Sequence, residues 1–264
     1  MEVSFGTLLR MPGVPVAAIE SGTAGTSVAR GAAGQPGADV IIQVSDVIKV
    51  FREGDVETIA LRGVDLEVAR GEFVALMGRS GSGKSTLLHL LAGSDRPTAG
   101  HVIVGGVDLT RVDESERARL RGSILGIVFQ SQNLVPFLDL EENTLLAATL
   151  ADRPVDRSTA RAALARVGLE ERAHHRPSQL SGGEQQRAAL AAVLVTRPAV
   201  LLADEITGEL DSANATILLD LVSEMRESES LTIVLATHDP EVAQRADRIV
   251  ELLDGRVVGD RPIR

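Results

Sequence analysis

From Val40 onward, apolar runs alternate with turn residues, and the runs fall into strands and helices by their period. VIIQVSDVIKVF (40–51), VDLEV (64–68) and EFVALMG (72–78) are rich in β-branched residues and read as separate sheet strands. STLLHLLAG (85–93) reads as a helix that Gly93 caps. HVIVGGVDLT (101–110) follows as strand and turn, ESERARLRG (114–122) as a short helix and ILGIVFQ (124–130) as a buried strand. Strand signals then stop: between 131 and 195, LEENTLLAATL and RSTARAALARVG have a helical period, which predicts an inserted helical lobe. Alternation resumes with AVLLADE (199–205), ANATILLDLVSEMRE (213–227), LTIVLATH (231–238) and PEVAQRA (240–246), and closes on a hairpin, RIVELLDGRVVG (248–259). Continuous apolar strands alternating with helices predict an α/β fold whose mostly parallel sheet is covered on both faces.

Ahead of Val40 the pattern fails. Residues 21–39 are mostly Gly, Ala, Ser and Thr, too few apolar groups to offset ordering entropy, so 1–38 is expected to be a flexible extension before a domain at 39–264. At 264 residues the chain has length for one large domain with an inserted lobe. The absence of cysteine excludes disulfides and thiolate chemistry and fits a reducing cytoplasm. A net charge of −10 argues against binding duplex nucleic acid, whose phosphates are read by clustered Lys and Arg. No run approaches the roughly 18–20 apolar residues that span a bilayer, and Glu2, Arg10, Pro12 and Pro15 interrupt any N-terminal signal pattern. The expected location is therefore cytoplasmic.

Chemistry concentrates at strand ends. GRSGSGKST (78–86) satisfies G-x-x-x-x-G-K-[ST] between the strand FVALM and the helix STLLHLL, the context that such a phosphate loop requires. In that arrangement the backbone amides of Gly78, Arg79, Ser80, Gly81, Ser82, Gly83, Lys84, Ser85 and Thr86 surround the phosphates, Lys84 reaches the β and γ oxygens, and the Ser85 hydroxyl ligates Mg²⁺. AVLLADE places two carboxylates at the carboxyl edge of the sheet, where open α/β folds bind ligands. Asp204 suits the Mg²⁺ shell, and Glu205 suits a general base that polarises water. His238 ends another strand at the same edge and is placed to donate to a γ-phosphate. Gln130 closes ILGIVFQ at the junction with the helical stretch, where an amide could touch metal or water, and Phe51 is an aromatic that could stack on a base. Position gives His89, His101, His174 and His175 no such role. Finally, Ser181 caps a second glycine-led helix, SGGEQQRAALAAVL, whose Gly182 and Gly183 expose amides to an anion. One triphosphate seldom needs two such termini, so the second is expected to serve the ATP of another copy, two chains enclosing two nucleotides head to tail.

Taken in order, GRSGSGKST, Gln130, LSGGEQQR, VLLADE, Asp211 and His238 resemble the nucleotide-binding domain of ATP-binding cassette (ABC) transporters, over about residues 40–260. The resemblance implies a P-loop cassette with a mostly parallel core sheet, an N-terminal antiparallel β subdomain and a helical subdomain at 131–195. It implies ATP and Mg²⁺ as cofactors and ATP hydrolysis as activity. Carried over residue by residue, it makes Phe51 the base-stacking residue, Gln130 the Mg²⁺ and coupling glutamine, Ser181, Gly182, Gly183 and Asp211 the contacts to the partner's nucleotide, Glu205 the base and His238 the switch histidine. It also implies a homodimer that drives a separate transmembrane permease and so sits on the inner face of the plasma membrane. FQSQNLVPFLDLEENTLLAATL, LLHLLAGSDRPTAG and THDPEVAQRADRIVELLDGRVV look like the macrolide-export and lipoprotein-release branch, with amino-acid importers the nearby alternative.

Three positions depart from the family pattern. Ile206 stands where proline is usual, Glu209 where a small or neutral residue is common, and Phe51 where tyrosine is. Losing proline is expected to free the backbone that feeds Asp211. Two other classes compete: a soluble ABC ATPase of translation or DNA repair, and a P-loop kinase of a small molecule. The first usually carries two cassettes, a long coiled coil or zinc cysteines. The second leaves LSGGEQQR without a purpose.

Overall fold

The computed structural model describes residues 39–129, 134–208 and 210–263; the expected extension at 1–38, Gln130 and Glu209 lie outside them. A long antiparallel hairpin comes first, β1 (Val40–Glu53) and β2 (Val56–Ala69), paired from Val40↔Ala69 to Glu53↔Val56. The sequence pattern predicted separate short strands here, and the structure joins them. The intervening REGDVETIA is exposed on nearly all sides, so no buried face imposed an alternation to read. Asp46, at φ 47°, interrupts the register, and its backbone N–H donates to Asp65 Oδ1 at 2.9 Å.

Then follow β3 (Phe73–Met77), helix α1 (Lys84–Leu91), β4 (Ala99–Val104), β5 (Val107–Asp108), α2 (Glu114–Ser123) and β6 (Leu125–Val128). From Leu134 to Pro198 the described chain has no strand: it holds α3 (Leu140–Leu150), α4 (Arg157–Arg166) and α5 (Gly182–Leu194), with 3₁₀ turns between the last two. The chain re-enters the sheet as β7 (Val200–Asp204), then α6 (Ser212–Glu229), β8 (Thr232–Thr237), the single turn α7 (Pro240–Ala243), and the hairpin β9 (Arg248–Leu253) and β10 (Arg256–Pro262).

Two sheets result. The smaller is wholly antiparallel, in the order β2-β1-β4-β5. The larger runs β10-β9-β3-β8-β7-β6 and is parallel throughout except for β10, which folds back on β9. Both faces of the parallel strands are covered, which is why each reads as an unbroken apolar run. Phe73 and Ala75, Leu201 and Ala203, and Ile233 and Leu235 face a core formed with α5 and α6. Val74 and Leu76, Val200 and Leu202, and Val234 and Ala236 face a second core shared with α1 and the antiparallel sheet. At about 1.5–3 kcal/mol for each fully buried large aliphatic side chain, these two layers hold the strand ends in fixed register. The adjacent parallel ends of β3, β8 and β7 therefore deliver their following loops to one edge, at the roughly 4.8 Å spacing of neighbouring strands. None of the described helices is long and apolar enough to cross a membrane.

Candidate active site

The loop after β3 is shaped by what glycine alone permits. A Cβ on Gly78 would lie 2.4 Å from the Leu252 carbonyl oxygen, and one on Gly83, which has φ 106°, would lie 2.8 Å from Ala60 O and from Leu61 Cδ2. Any side chain there would force the loop off β2 and the β9–β10 hairpin. Gly83 is also the N-cap of α1 and supplies no side-chain cap, so the first-turn amides of α1 remain donors for an anion. Lys84, 5 % exposed, folds its ammonium inside the loop and donates to Gly78 O at 2.8 Å and Arg79 O at 3.2 Å. An ammonium has three N–H groups, which leaves one for a phosphate oxygen even with both carbonyls engaged.

The tip of the last hairpin braces the same loop. Gly255 N–H donates to Ser82 O at 3.0 Å, while Arg62 N–H donates to Gly255 O at 2.8 Å. Asp254 and Gly255 have φ 47° and 75°, and a Cβ on Gly255 would stand 2.5 Å from Ala60 O. The sequence pattern predicted this hairpin but carried no sign that its tip touches the distant loop at 78–86.

Two strands away, β7 ends in Asp204 and Glu205. Asp204 is 8 % exposed, and its carboxylate has no hydrogen-bond partner among the described residues. Glu205 takes φ 48°, with its N–H donating to Ala236 O at 2.9 Å and its own carbonyl accepting from Gly208 N–H at 3.0 Å. This turn points its carboxylate toward the end of β8, where His238 Nδ1 lies 3.0 Å from Glu205 Oε1. A carboxylate only accepts, so Nδ1 carries the proton and Nε2 of the neutral ring is an acceptor. Donation from Nε2 to a phosphate then requires the doubly protonated ring or release of Glu205. Ile206, which stands where proline is usual, is 3 % exposed and packs in the core beside α5 and α6.

The second glycine-led helix start is built otherwise. Ser181 caps α5 in a reciprocal box: Ser181 Oγ accepts from Glu184 N–H at 3.3 Å, and Ser181 N–H and Oγ–H donate to Glu184 Oε2 at 2.9 and 3.0 Å. The Ser181 backbone N–H is the main cause that holds the Glu184 carboxyl below the usual glutamate range. Asp211 caps α6, its Oδ1 accepting from Asn214 N–H at 2.8 Å. Ser181, Gly182, Gly183 and Asp211 make no hydrogen bond or ion pair with the loop at 78–86 among the described residues, whereas Gly183 lies beside Leu210, next to Asp211. The structure thus brings the sequence-predicted residues together in two groups: the loop after β3 with the ends of β7 and β8, and the head of α5 with the head of α6.

Phe51 is 45 % exposed on β1, and the Lys49 ammonium sits 4.8 Å from its ring centroid. Lys49 is itself held by Asp95 Oδ1 at 2.6 Å and Arg96 O at 2.8 Å, which fixes the cation over the ring of a partly exposed aromatic. Of the remaining histidines, His89 packs against Phe129 with ring centroids 4.5 Å apart, His101 pairs with Asp108, His174 with Asp139 and Arg161, and His175 with Arg172. Sequence reasoning passed over Lys49, Arg187, Asn214 and Gly255. For Gly255 the Asp-Gly pair was a usable signal, and for Glu184 the S-x-x-E spacing at 181–184 was another.

A family model described as ABC transporter matches residues 61–208. The lipoprotein-releasing system ATP-binding protein LolD of Anaeromyxobacter dehalogenans is 45% identical over 233 residues, which cover 87% of this chain and 98% of that protein. The macrolide export ATP-binding/permease protein MacB of Syntrophobacter fumaroxidans is 44% identical over 232 residues, 84% of this chain and 32% of that protein. The chain thus spans about a third of the length of its MacB relatives and nearly all of LolD. Among solved structures, the ATP-binding cassette MJ0796, in a dimeric post-hydrolysis state bound to ADP and Pi, superposes with a TM-score of 0.81 at 37% identity, covering 84% of this chain and 99% of that one. Such identity across the whole of a free-standing relative, on a fold matched almost end to end by a nucleotide-binding cassette, means that the chain belongs to the ABC transporter family.

Proposed function

We propose that this chain is the ATP-hydrolysing subunit of an ABC transporter, dimerising on ATP and driving a separate membrane permease that holds it at the inner face of the plasma membrane. The observation that carries the reading is the Glu205–His238 pair, set on neighbouring strand ends at the same sheet edge as an uncapped α1. The amides of 78–86 and the Lys84 ammonium bind the phosphates, and the ring of Phe51 takes the base. Two hard oxygen donors, the Ser85 hydroxyl and the nearly buried Asp204 carboxylate, suit Mg²⁺, an ion that keeps several waters and phosphate oxygens and needs few protein ligands. When bound, Mg²⁺ would offset charge on the phosphate oxygens. Glu205 accepts the proton of the attacking water, and His238 holds that carboxylate in place. Ser181, Gly182, Gly183 and Asp211 close on the partner's nucleotide. Similarity to LolD and MacB favours export, lipoprotein release or mechanical transmission as the work of the assembly.

The test is Glu205→Gln with Mg-ATP, followed by analytical ultracentrifugation. Without the base the chemistry stalls, by about 10²–10⁴-fold for a general base, and the closed dimer accumulates. A protein that stays monomeric at saturating Mg-ATP would refute the shared-site reading. Tagged chain recovered from gently solubilised membranes should bring a permease with it.

A further inference from the structure

Between the heads of α5 and α6 lies a hydrogen-bonded chain that neither helix needs for its own formation. Asn214 stands at the third position of α6, where its backbone N–H already satisfies the Asp211 cap. Its side-chain amide adds two bonds of opposite polarity: Nδ2 donates to Asp211 Oδ2 at 2.8 Å, and Oδ1 accepts from Arg187 Nη1 at 2.5 Å. The amide does both at once from two separate atoms, whereas a carboxylate cannot donate and an aliphatic side chain does neither. Arg187 lies one turn beyond Gly183 on α5, the i,i+4 spacing that puts the two on one face. A Cβ on Gly183 would meet Leu210 Cδ2 at 3.1 Å, with Arg187 Nη1 and Asn214 Cγ each 3.9 Å away. The serine-glycine turn therefore packs closely on Leu210 and has Arg187 and Asn214 as its next neighbours, within one side-chain carbon's reach. The bonds are charge-assisted at both ends, the stronger class of hydrogen bond, and Asn214 and Arg187 are both only partly exposed.

We propose that Arg187 and Asn214 are positioning residues that fix the Ser181–Gly183 turn and Asp211 as one rigid unit, so that the two elements meet the partner copy's nucleotide together. This rests on the dimeric reading given above. Neither residue touches the loop that binds the protomer's own nucleotide, so the relay acts on closure of the dimer and not on capture of ATP. It also gives Asp211 a fixed carboxylate: the Asn214 backbone and side-chain bonds, with a smaller contribution from the Arg187 charge, hold it below the usual aspartate range.

The experiment places substitutions in the Glu205→Gln background and measures three quantities: affinity of the protomer for a fluorescent ATP analogue, thermal midpoint, and dimer dissociation constant with Mg-ATP by sedimentation. Asn214→Leu and Arg187→Gln should each raise the dimer dissociation constant by about tenfold, the worth of one hydrogen bond to a charged group, with nucleotide affinity unchanged. Asn214→Asp keeps the acceptor for Arg187 but places a second carboxylate beside Asp211, and should weaken the dimer while retaining the melting point. Arg187→Lys should restore part of the loss. Combining Asn214→Leu with Arg187→Gln should cost no more than the worse single change, because both break one unit. Dimerisation unchanged in the single variants, additive losses, or losses that merely follow the melting point would overturn the relay and leave the dimer standing. Monomers with Glu205→Gln alone would overturn both.

Discussion

Two helices of this protein start on glycine-rich turns, and they are finished in opposite ways. At the head of α1 nothing caps the amides: Gly83 has no side chain, and the neighbouring cation, Lys84, lies inside the loop. At the head of α5 a reciprocal cap is in place: Ser181 and Glu184 satisfy each other and a carboxylate occupies the first turn, while the amides of Gly182 and Gly183 have no acceptor among the described residues. The first is ready for a multiply charged anion. The second is closed at its serine alone: the Ser181 hydroxyl must leave Glu184 before it donates to anything else. The contrast teaches that a glycine-led helix start is not one kind of anion site. In a shared-nucleotide dimer it would leave one half of the site standing open, while the other would gain its serine donor only when a triphosphate outcompetes Glu184.

Four measurements bear on that contrast. Lys84→Ala strikes the open terminus and should weaken ATP binding to the protomer by about 3 kcal/mol, on the order of a hundredfold, as read by equilibrium titration; a change confined to turnover would erase the distinction. Ser181→Arg strikes the closed terminus with a bulky cation. ATP binding by the isolated protomer should persist, while turnover that depends on protein concentration falls by roughly thirtyfold, about 2 kcal/mol of lost interface. Ser181→Ala removes the cap alone and should cost about 1 kcal/mol of stability, a drop of roughly 2–4 °C in the thermal midpoint of a chain this size. The smallest effect is in pH. Because Glu184 is held below the usual glutamate range, the folded protein binds its proton less readily than the unfolded chain. That stabilisation is complete above the ordinary glutamate value and fades as pH falls through the lower, folded one. Glu184→Gln should flatten this part of the acid-denaturation curve, and a curve that keeps the wild-type slope would assign the acid sensitivity to other carboxylates, such as Glu141 between Arg157 and Arg161.

The parts legible in the sequence are those governed by local pattern. Strands β3, β7 and β8 are buried on both faces and so announce themselves as apolar runs, and the chemistry at their ends follows from where a parallel sheet places its loops. The β1–β2 hairpin was obscured because its outer half is polar on both sides, leaving no period to detect. Contacts between distant residues were also hidden. Glu205 and His238 meet across 33 residues, and Arg187 and Asn214 across 27. Each is unremarkable locally, and the pairing is set by how α5, α6 and β8 pack around the shared core. At the Ile206 departure the backbone argument spoke only of the missing ring, and the burial of the isoleucine side chain in the core was not legible beside it.

The hairpin tip lodged against the phosphate loop bears on the order in which a working protein comes into being. A chain growing from its N-terminus completes β3, Lys84 and α1 early, yet the bonds from Gly255 to Ser82 and from Arg62 to Gly255 wait for residue 255. Until then the loop lacks its brace, and the uncapped start of α1 is without those contacts. The shape of the loop is in this sense settled late in synthesis: its brace forms only after residue 255 has joined the chain.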